Sequence, residues 1–357
     1  MAKQSLYREH RPSLFKEVVG QKTQKKNLHN LLKNDALNQA ILFSGPSGVG
    51  KTTLARIVAK VINCKKPTPE WEPCNECDSC KDVKGEGFNR NIYMIDAATN
   101  RGVAQIEPIK AGINSYPILG DQYKIFIFDE AHKLTDTVFN SFLTVLEEPP
   151  EYMYFMFCTT EPQNVLNTIK TRCLPVKCSA LKDEEVASGL AQVLDTHLKR
   201  RITRVEMFVC KKIADVSFGC MRDSLTTLQT LIYNDALTVE KAEEFVPKFD
   251  QTTLAKCIEW VFSKNGKIVE YIDTLDESKD FDAFFLQMRR VIKNTTYAKL
   301  GLEVVGPPWL QNASKMNADK ITKEEIRFLL ETFNTDTTRI FQPKEFFFNK
   351  FSNYLLK

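Results

Sequence analysis

The stretch Gly45-Pro46-Ser47-Gly48-Val49-Gly50-Lys51-Thr52 matches every fixed position of the P-loop pattern G-x-x-x-x-G-K-[ST]. An apolar run at residues 40–43 precedes it and predicts a buried strand, and residues 53–62 predict a helix directly after it. In that setting the loop aims backbone N–H groups and a helix N-terminus at phosphate groups. The stretch therefore predicts a nucleotide-binding α/β domain, with an ordinary glycine-rich turn as the alternative.

Each residue type in this loop has an expected task. Glycine permits backbone angles and close approaches that a side chain would block. Lys51 is expected to reach the β- and γ-phosphates, and Thr52 is expected to hold a magnesium ion. The predicted nucleotide-binding set comprises Gly45, Pro46, Ser47, Gly48, Val49, Gly50, Lys51, Thr52 and Thr53.

A second apolar run, at residues 124–128, ends in the carboxylates Asp129 and Glu130. Such a run suits a strand that is buried on both faces of a parallel sheet, and these strands present ligands at their carboxyl ends. Asp129 is expected to hold Mg²⁺ through water, and Glu130 to polarise the attacking water. This Walker B arrangement favours hydrolysis of ATP over its storage, with a solvated strand end as the alternative. Residues 129–132 also spell the Asp-Glu-Ala-His box of one helicase superfamily, but the Ser-Ala-Thr-type strand of that family is missing from the sequence.

The next predicted strand, at residues 152–158, is followed by Thr159 and Thr160. A polar residue at this neighbouring strand tip can hydrogen-bond the attacking water or the γ-phosphate, which is the sensor 1 position of AAA+ ATPases. Thr160 is therefore predicted at that position. His132 is expected to be a positioned polar residue beside Glu130 rather than a metal ligand, because no second ligand lies at helical spacing from it.

Four of the ten cysteines cluster with the spacing C-x9-C-x2-C-x2-C, at Cys64, Cys74, Cys77 and Cys80. Four thiolates are enough for one tetrahedral structural Zn²⁺. An iron–sulfur centre also favours this spacing, but its usual fourth cysteine before a proline is missing, and free thiols are the third alternative. The other cysteines lie in apolar surroundings and are expected to be core thiols: Cys158, Cys173, Cys178, Cys210, Cys220 and Cys257.

Together the motifs resemble the bacterial DNA polymerase III gamma/tau subunit, the ATPase motor of the sliding-clamp loader, over roughly residues 5–230. Besides the P-loop, the cysteine cluster and the Walker B box, the resemblance rests on Tyr7-Arg8-Glu9-His10-Arg11-Pro12, Phe15-Lys16-Glu17-Val18-Val19-Gly20-Gln21, Leu146-Glu147-Glu148-Pro149-Pro150, Thr160-Glu161-Pro162-Gln163, Thr171-Arg172-Cys173 and Gly219-Cys220-Met221-Arg222-Asp223. Three departures stand out. Thr171 replaces the usual Ser, residues 103–108 replace a more acidic segment, and the long tail of the tau form has no counterpart. A short or phage-encoded version of the subunit therefore stays open.

The resemblance implies roles for residues that a local pattern alone would treat as surface charges. Arg172 resembles the arginine finger, which projects into the ATP site of the next subunit. Arg222 resembles sensor 2, the lid residue that contacts the γ-phosphate of its own subunit. The segment expected to pack around the adenine contains Arg8, Arg11, Val18 and Val19. The implied catalytic set is Lys51, Asp129, Glu130, Thr160, Arg172 and Arg222, with Thr52 and Asp129 as magnesium ligands.

Three domains are expected along the chain. Residues 1–178 alternate strands and helices, as in a parallel P-loop AAA+ domain, with the cysteine cluster as a zinc module inserted at about residues 64–80. Residues 179–245 have a helical sequence pattern and would form the AAA+ lid. Residues 246–357 predict an all-α domain, which the resemblance makes an oligomerisation collar. Its aromatic residues would form a core or meet neighbouring subunits: Trp260, Phe262, Phe284, Phe285, Phe328, Phe346, Phe347 and Phe348.

Composition places few limits on the partners of the chain. A net charge of +4 is too mild to indicate nucleic acid by itself. Lys22, Lys25 and Lys26 could face DNA phosphates, or they could form a solvated helix face. The sequence has no visible signal peptide and no apolar run near the roughly 20 residues that span a bilayer, and reduced cysteines fit the cytoplasm.

The expected function is therefore that of an ATPase motor subunit of a sliding-clamp loader, with ATP, Mg²⁺ and Zn²⁺ as cofactors. ATP binding would open the clamp and grip primer–template DNA, and hydrolysis would release the clamp. The expected partners are the clamp, primer–template DNA and other loader subunits in a homo- or hetero-pentamer, with no membrane. Two alternatives stay open: another AAA+ machine, such as a branch-migration motor or an initiator loader, and a non-hydrolysing structural subunit.

Overall fold

A computed structural model of the chain describes residues 5–82, 91–99, 115–117, 123–217, 219–245, 256–257, 259–261, 263–274, 280–302, 304 and 308–333. They belong to two compact units, Met1–Tyr233 and Asn234–Lys357. The segment at residues 103–108, the predicted collar residues Phe262 and 346–348, and the side chain of Phe285 lie outside the described residues. The boundary between the units coincides with neither predicted domain boundary, and the three-domain division stays a prediction.

The first unit is built on a parallel sheet, which has five strands among the residues described: β1 (Ala40–Ser44), β2 (Ile92–Asp96), β3 (Lys124–Asp129), β4 (Met153–Thr159) and β5 (Leu174–Lys177). Their order across the sheet is β2-β3-β4-β1-β5. Thr159 of β4 pairs with Ser44 of β1, and Asp96 of β2 pairs with Asp129 of β3. The carboxyl ends of the strands therefore meet at one edge, which is where open α/β sheets bind ligands.

Helices connect and cover these strands. In chain order they are α1 (Leu6–Glu9), α2 (Lys22–Lys33), α3 (Lys51–Ile62), α4 (Asp78–Asp82), α5 (Asp136–Glu147), α6 (Asn167–Lys170), α7 (Asp183–Leu198), α8 (Arg204–Ser217) and α9 (Met221–Tyr233). Short 3₁₀ turns lie at Phe15–Glu17, Ala131–Lys133 and Pro162–Asn164. Thr135 caps the start of α5, because its hydroxyl accepts a hydrogen bond from the N–H of Val138 at 3.4 Å.

Both faces of the sheet are buried, which explains the uninterrupted apolar runs of β1 and β3. One face packs against α3, where Leu54 is fully buried. The other face carries stacked aromatic rings. The ring centroids of Phe126 and Phe155 lie 5.4 Å apart, and those of Phe128 and Phe157 lie 5.1 Å apart. This packing holds the strand ends, and with them the loops at the carboxyl edge, in fixed positions.

The helices α7 to α9 follow the sheet within the first unit. α8 packs against α7, and α9 packs against α8 and the short α1. Between α7 and α8 the Glu206 carboxylate accepts hydrogen bonds from the Arg200 guanidinium at 2.7 and 3.0 Å, and from the N–H of Thr203 at 2.7 Å. The hydrogen bonds from Arg200, helped by Thr203, outweigh burial and lower the pKa of Glu206 to about 2.

This contact predicts a pH dependence of stability. The carboxyl of Glu206 has a pKa of 4.5 as a free side chain and about 2 in the fold. Its stabilising contribution is therefore complete above the higher value and is lost as the pH falls from one to the other. We expect Glu206→Gln to lower the free energy of unfolding at neutral pH and to flatten its decline in acid. Urea unfolding at about pH 3.5 and about pH 7 measures this. The exposed Glu151→Gln is the control and should leave both values unchanged.

The second unit is helical in its described residues, with α10 (Val239–Phe245), α11 (Lys267–Thr274), α12 (Asp280–Lys299), α13 (Pro308–Ala318) and α14 (Lys323–Phe333). α12 packs against α13 and α14. Phe284, Val291 and Leu329 are buried in this unit, so Phe284 belongs to its core. Across both units, the described helices include none that is long and apolar enough to cross a bilayer.

Candidate functional site

The P-loop stretch joins β1 to α3 at the carboxyl edge of the sheet. Gly45 has φ +147°, and a Cβ there would lie 2.1 Å from the carbonyl oxygen of Cys178. Gly48 has φ +68°, and a Cβ there would lie 2.2 Å from Sγ of Cys220. The backbone conformation and the close neighbours therefore require glycine at both positions.

A cleft opens beside this loop, and concave sites of this kind are where proteins bind small molecules. Segments far apart in sequence line it: the N-terminal segment, the P-loop, the end of β3, and helices α7 and α9. Of the predicted site residues, the lining includes Arg11, Val18, Val19, Ser47, Gly48, Val49, Gly50, Lys51, Thr52, Thr53, Asp129, Glu130 and Arg222. The predicted residues outside the lining are Arg8, Gly45, Pro46, Thr160 and Arg172.

Lys51 is the buried cation of the cleft. α3 begins at this residue, two positions before the helix that the sequence predicts, so the P-loop leads directly into the helix N-terminus. Its ammonium donates to the carbonyl oxygen of Pro46 at 2.7 Å, and only 7% of the residue is exposed. Burial lowers the pKa of Lys51, because the charged form loses its hydration. An anionic ligand at this point would restore a favourable partner for the charge.

Thr52 and Asp129 meet at the same end of the cleft. The Thr52 hydroxyl lies 2.9 Å from one carboxylate oxygen of Asp129 and 3.0 Å from the other. Oxygen ligands from one or two protein side chains, completed by phosphate oxygens and water, are the usual protein site for Mg²⁺. The pair therefore fits a magnesium ion that is shared with a bound phosphate chain.

Glu130 is surrounded by polar groups. Its φ of +51° is left-handed, so the chain turns sharply at the end of β3. The Thr160 hydroxyl donates to Oε2 of Glu130 at 3.3 Å, although Thr160 itself lies outside the lining. The His132 side chain is buried, and its Nδ1 lies 3.5 Å from Oε2 of Glu130 and 3.1 Å from the Thr159 hydroxyl. These contacts orient the Glu130 carboxylate at the wall of the cleft.

The start of α9 touches the P-loop directly. The N–H of Met221 donates to the carbonyl oxygen of Gly48 at 3.1 Å. The next residue, Arg222, lines the cleft, and its guanidinium carbon lies 6.0 Å from the ring centroid of Tyr7. The position of Arg222 relative to the P-loop therefore depends on where α9 sits.

Sequence reasoning missed several lining residues: Tyr7, His10, Gly189, Gln192, Val193 and Met221. Gly189 carried a usable signal, because glycine inside a helix costs roughly 0.5–1 kcal/mol relative to alanine and calls for a packing reason. A Cβ at this position would lie 2.6 Å from Cγ2 of Val19. The glycine lets α7 approach the segment that carries Val18 and Val19.

Arg172 lies outside the cleft of its own chain. Its guanidinium is bound by the Glu147 carboxylate and by the carbonyl oxygen of Thr168, the latter at 2.7 Å. The side chain remains 30% exposed. It is therefore a partly exposed arginine that is held in a defined position.

The three lysines near the start of α2 have different surroundings. Lys22 and Lys26 are exposed. Lys25 instead donates to the carbonyl oxygen of Val18 at 2.6 Å, and burial lowers its pKa. Lys25 thus supports the segment that lines the cleft, and Lys22 and Lys26 are the better candidates of the three for contact with phosphates.

The four clustered cysteines meet in space beside α3 and α4. The sulfur atoms of Cys64, Cys74, Cys77 and Cys80 all lie within 4.8 Å of one another. In a tetrahedral site with Zn–S bonds of about 2.3 Å the sulfurs are about 3.8 Å apart, so small adjustments suffice. Burial alone would raise the pKa of Cys74, but N–H groups of Cys77 and Glu76 donate to its sulfur and the pKa falls to about 6. Burial instead raises the pKa of Cys64 and of Cys80. The thiolate is the form that binds a metal, and a bound ion would displace the protons from these thiols.

This donor set fits a structural zinc. Four sulfurs fill a tetrahedral shell and leave no position for a substrate. The remaining cysteines of the sequence are buried, as expected of core thiols. The cluster therefore has the chemistry of a site that stabilises its own loop.

One zinc per chain is the expected result of metal analysis on protein purified without chelator. Cys80→Ser should lower the zinc content and reduce Tm by more than about 5 °C, since metal binding contributes several kcal/mol and each kcal/mol shifts Tm by about 2–4 °C in a unit of this size. The neighbouring exposed Lys81→Ala is the control. Iron in place of zinc, or metal-free protein of unchanged Tm, would contradict this assignment.

Known proteins resemble this chain in sequence. A family model described as DNA polymerase III, delta subunit matches residues 20–182. The DNA polymerase III subunit tau of Bacillus subtilis is 36% identical over 279 residues, which cover 78% of this chain and 48% of that protein. The gamma/tau subunit of Mycoplasma genitalium is 32% identical over 346 residues, covering 94% of this chain and 55% of that protein. The chain spans about half the length of these relatives.

Solved structures show the same architecture. The RuvB Holliday junction branch migration motor of Thermotoga maritima superposes with a TM-score of 0.50 at 15% identity, covering 83% of this chain and 99% of that chain. A likeness at that identity speaks for the fold alone, and it confirms the predicted α/β fold of a parallel sheet with helices. By sequence, the chain is similar to DNA polymerase III gamma/tau subunits over most of its length.

Proposed function

We propose that the chain is the ATPase motor subunit of a sliding-clamp loader. ATP binding opens the clamp and grips primer–template DNA, and hydrolysis releases the clamp. The observation that carries this proposal is the cleft, which unites the P-loop, the Thr52–Asp129 pair and Glu130 in a relative of DNA polymerase III gamma/tau subunits.

Binding of ATP is assigned to the phosphate end of the cleft. Lys51 leaves the carbonyl oxygen of Pro46 and pairs with the β- and γ-phosphates, while the loop N–H groups and the start of α3 receive the remaining phosphate oxygens. Thr52 and Asp129 hold Mg²⁺, which supplies positive charge to the phosphate oxygens when bound. Arg11, Val18 and Val19 line the part of the cleft assigned to the adenine.

Hydrolysis is assigned to Glu130 and its neighbours. The carboxylate accepts a proton from the attacking water, and the contacts from Thr160 and His132 keep it aimed at the cleft. A non-hydrolysing structural subunit has no need of this arrangement. The presence of Glu130 therefore argues against that alternative.

Two arginines are assigned to opposite sides of a subunit boundary. Arg222 acts in cis, because it lines the cleft of its own chain and sits on the helix that touches the P-loop. Arg172 acts in trans, because it lies at the surface, away from that cleft. ATP would then hold the lid and tie neighbouring subunits together at the same time.

The remaining assignments follow the family. Residues 246–357 form the collar of a pentamer with like or unlike subunits, and the cysteine cluster holds one structural zinc. DNA is gripped through its backbone charge, for which the exposed Lys22 and Lys26 are candidates. Replication work of this kind takes place in the bacterial cytoplasm, or in the host cytoplasm for a viral version. A branch-migration motor shares the fold, but the zinc cluster and the segment at Pro162 and Gln163 favour the clamp loader.

The proposal is tested by the rate of ATP hydrolysis with the matching sliding clamp and primer–template DNA. We expect turnover by the loader to rise several-fold when both are added, and to vanish in a loader that carries Lys51→Ala. A rate of ATP hydrolysis that does not change when clamp and DNA are added would contradict a clamp-loading role. It would leave the ATPase assignment intact.

A further inference from the structure

We propose that Glu72 is a positioning residue through which the cysteine cluster holds the adenine side of the nucleotide cleft. The inference rests on the proposed function, since that function assigns Val18 and Val19 to the base. Glu72 lies two residues before Cys74 in the cluster loop. Its side chain binds the backbone of the segment that leads to the cleft.

The Glu72 carboxylate receives two backbone hydrogen bonds from the start of the 3₁₀ turn Phe15–Glu17. The N–H of Phe15 donates to Oε2 at 2.6 Å, and the N–H of Lys16 donates to Oε1 at 2.8 Å. Glu72 is only 6% exposed. Each carboxylate oxygen accepts a hydrogen bond from one backbone amide, so the carboxylate fixes both the position and the orientation of the turn.

The loop that carries Glu72 is closed on itself. The N–H of Thr68 donates to the carbonyl oxygen of Glu72 at 2.9 Å, and the N–H of Glu72 donates to the Thr68 hydroxyl at 3.2 Å. Cys64 and Cys74 lie on either side of this turn, and the N–H of Cys74 donates to Sγ of Cys64 at 3.3 Å. A metal ion held by both cysteines therefore fixes the stretch in which Glu72 sits.

A second set of hydrogen bonds also connects the cluster loop to the N-terminal segment. The side-chain amide of Asn75 donates to the Ser13 hydroxyl at 3.0 Å, and the ammonium of Lys60 on α3 donates to Oδ1 of Asn75 at 3.0 Å. The cluster loop thus joins the N-terminal segment at two points and joins α3, the helix that starts at the P-loop.

The last residue of the 3₁₀ turn and the two residues after it line the cleft. The Phe15 side chain is buried, and its ring packs edge-on against His29 with centroids 4.5 Å apart. Glu17, Val18 and Val19 then line the cleft. A displacement of the turn therefore moves the adenine side of the site.

These contacts link metal binding to nucleotide binding. Without the Glu72 carboxylate the amides of Phe15 and Lys16 lose their protein partner, and the segment samples positions in which the cleft wall is displaced. If about one molecule in ten keeps the competent arrangement, the apparent Kd for ATP rises about tenfold. Linkage is reciprocal, so ATP must raise the affinity for zinc by the same factor by which zinc raises the affinity for ATP.

The test measures the Kd of Mg·ATP for the full zinc-loaded chain, and the affinity for zinc by competition with a chromophoric chelator, with and without ATP. Glu72→Ala should raise the Kd about tenfold while zinc content stays at one per chain. In the wild type ATP should raise the zinc affinity about tenfold, and in Glu72→Ala the increase should be markedly smaller, because only the Asn75 contact still joins the cluster loop to the N-terminal segment. The exposed Glu70→Ala, from the same loop, is the matched control and should behave as the wild type in both measurements.

The possible outcomes distinguish a failure of the proposed function from a failure of the role of Glu72. A wild-type chain that binds no ATP contradicts the proposed function and this inference with it. A wild-type chain that binds ATP with no change in zinc affinity, or a zinc-loaded Glu72→Ala protein with the wild-type Kd, overturns the inference alone.

If Glu72→Ala does not fold, Glu72→Gln replaces it, since the glutamine side chain keeps one acceptor oxygen. Its Kd should rise about threefold, and hydrogen exchange of residues 13–19 should quicken. An unchanged Kd in that variant overturns the inference equally.

Discussion

Lys51→Ala is expected to raise the Kd for ATP by roughly 10²–10⁴-fold. The ammonium is buried at the phosphate end of the cleft, and each hydrogen bond between charged groups contributes about 1.5–3 kcal/mol. The proposed function gives the ammonium two phosphate partners, and this variant would lose both. Titration calorimetry with Mg·ATP on the purified chain measures the effect.

Glu130→Gln is the matched variant for Lys51→Ala, because both residues line the same cleft. In the proposed function Glu130 acts on water rather than on phosphate, so we expect the Kd to stay near the wild-type value. Turnover should fall by about 10²–10⁴-fold, the usual contribution of a general base. Equal losses of affinity in the two variants would show that the division of roles is wrong.

Arg172→Ala is expected to lower the clamp- and DNA-stimulated hydrolysis of the assembled loader by about 10³–10⁵-fold. The same change should leave the ATP affinity of the isolated chain unaltered, because Arg172 lies outside the lining of its own cleft. Single-turnover hydrolysis gives the first quantity and calorimetry the second. Arg201→Ala, a highly exposed arginine elsewhere in the first unit, is the control.

Mixing the variants separates action in trans from action in cis. An assembly of Arg172→Ala and Glu130→Gln chains contains some boundaries with an intact Glu130 on one side and an intact Arg172 on the other. Those boundaries should restore part of the hydrolysis that either variant lacks alone. If mixed assemblies form and stay inactive, while Arg172→Ala slows hydrolysis by the isolated chain, Arg172 acts in cis.

Features with a local pattern could be predicted from the sequence. The apolar runs before the P-loop and before Asp129 form β1 and β3 of one sheet, with β4 between them, because fully buried parallel strands require such runs. The spacing of the four cysteines likewise anticipates sulfurs within 4.8 Å of one another. In both cases the chemistry constrains residues that are close in sequence, so the pattern is visible before the fold is known.

The rest of the cleft depends on contacts between distant segments. Tyr7 and Gln192 line it because α7 and α9 pack beside the N-terminal segment, and no short pattern encodes that approach. Arg8 shows the reverse case: it shares the short α1 with Tyr7, yet it lies outside the lining. The contact of Glu72 with Phe15 spans 57 residues and was equally invisible, since an isolated glutamate before a cysteine has no distinguishing sequence feature.

The most direct test of clamp loading is the native mass of the loader that contains this chain, measured with the matching sliding clamp. With ATP and the Glu130→Gln variant, which should bind without hydrolysing, the mass is expected to rise by that of one clamp. With ADP, or with Lys51→Ala in place of Glu130→Gln, the clamp should be absent. A loader that never gains the clamp's mass, or gains it equally without nucleotide, would contradict an ATP-driven clamp loader.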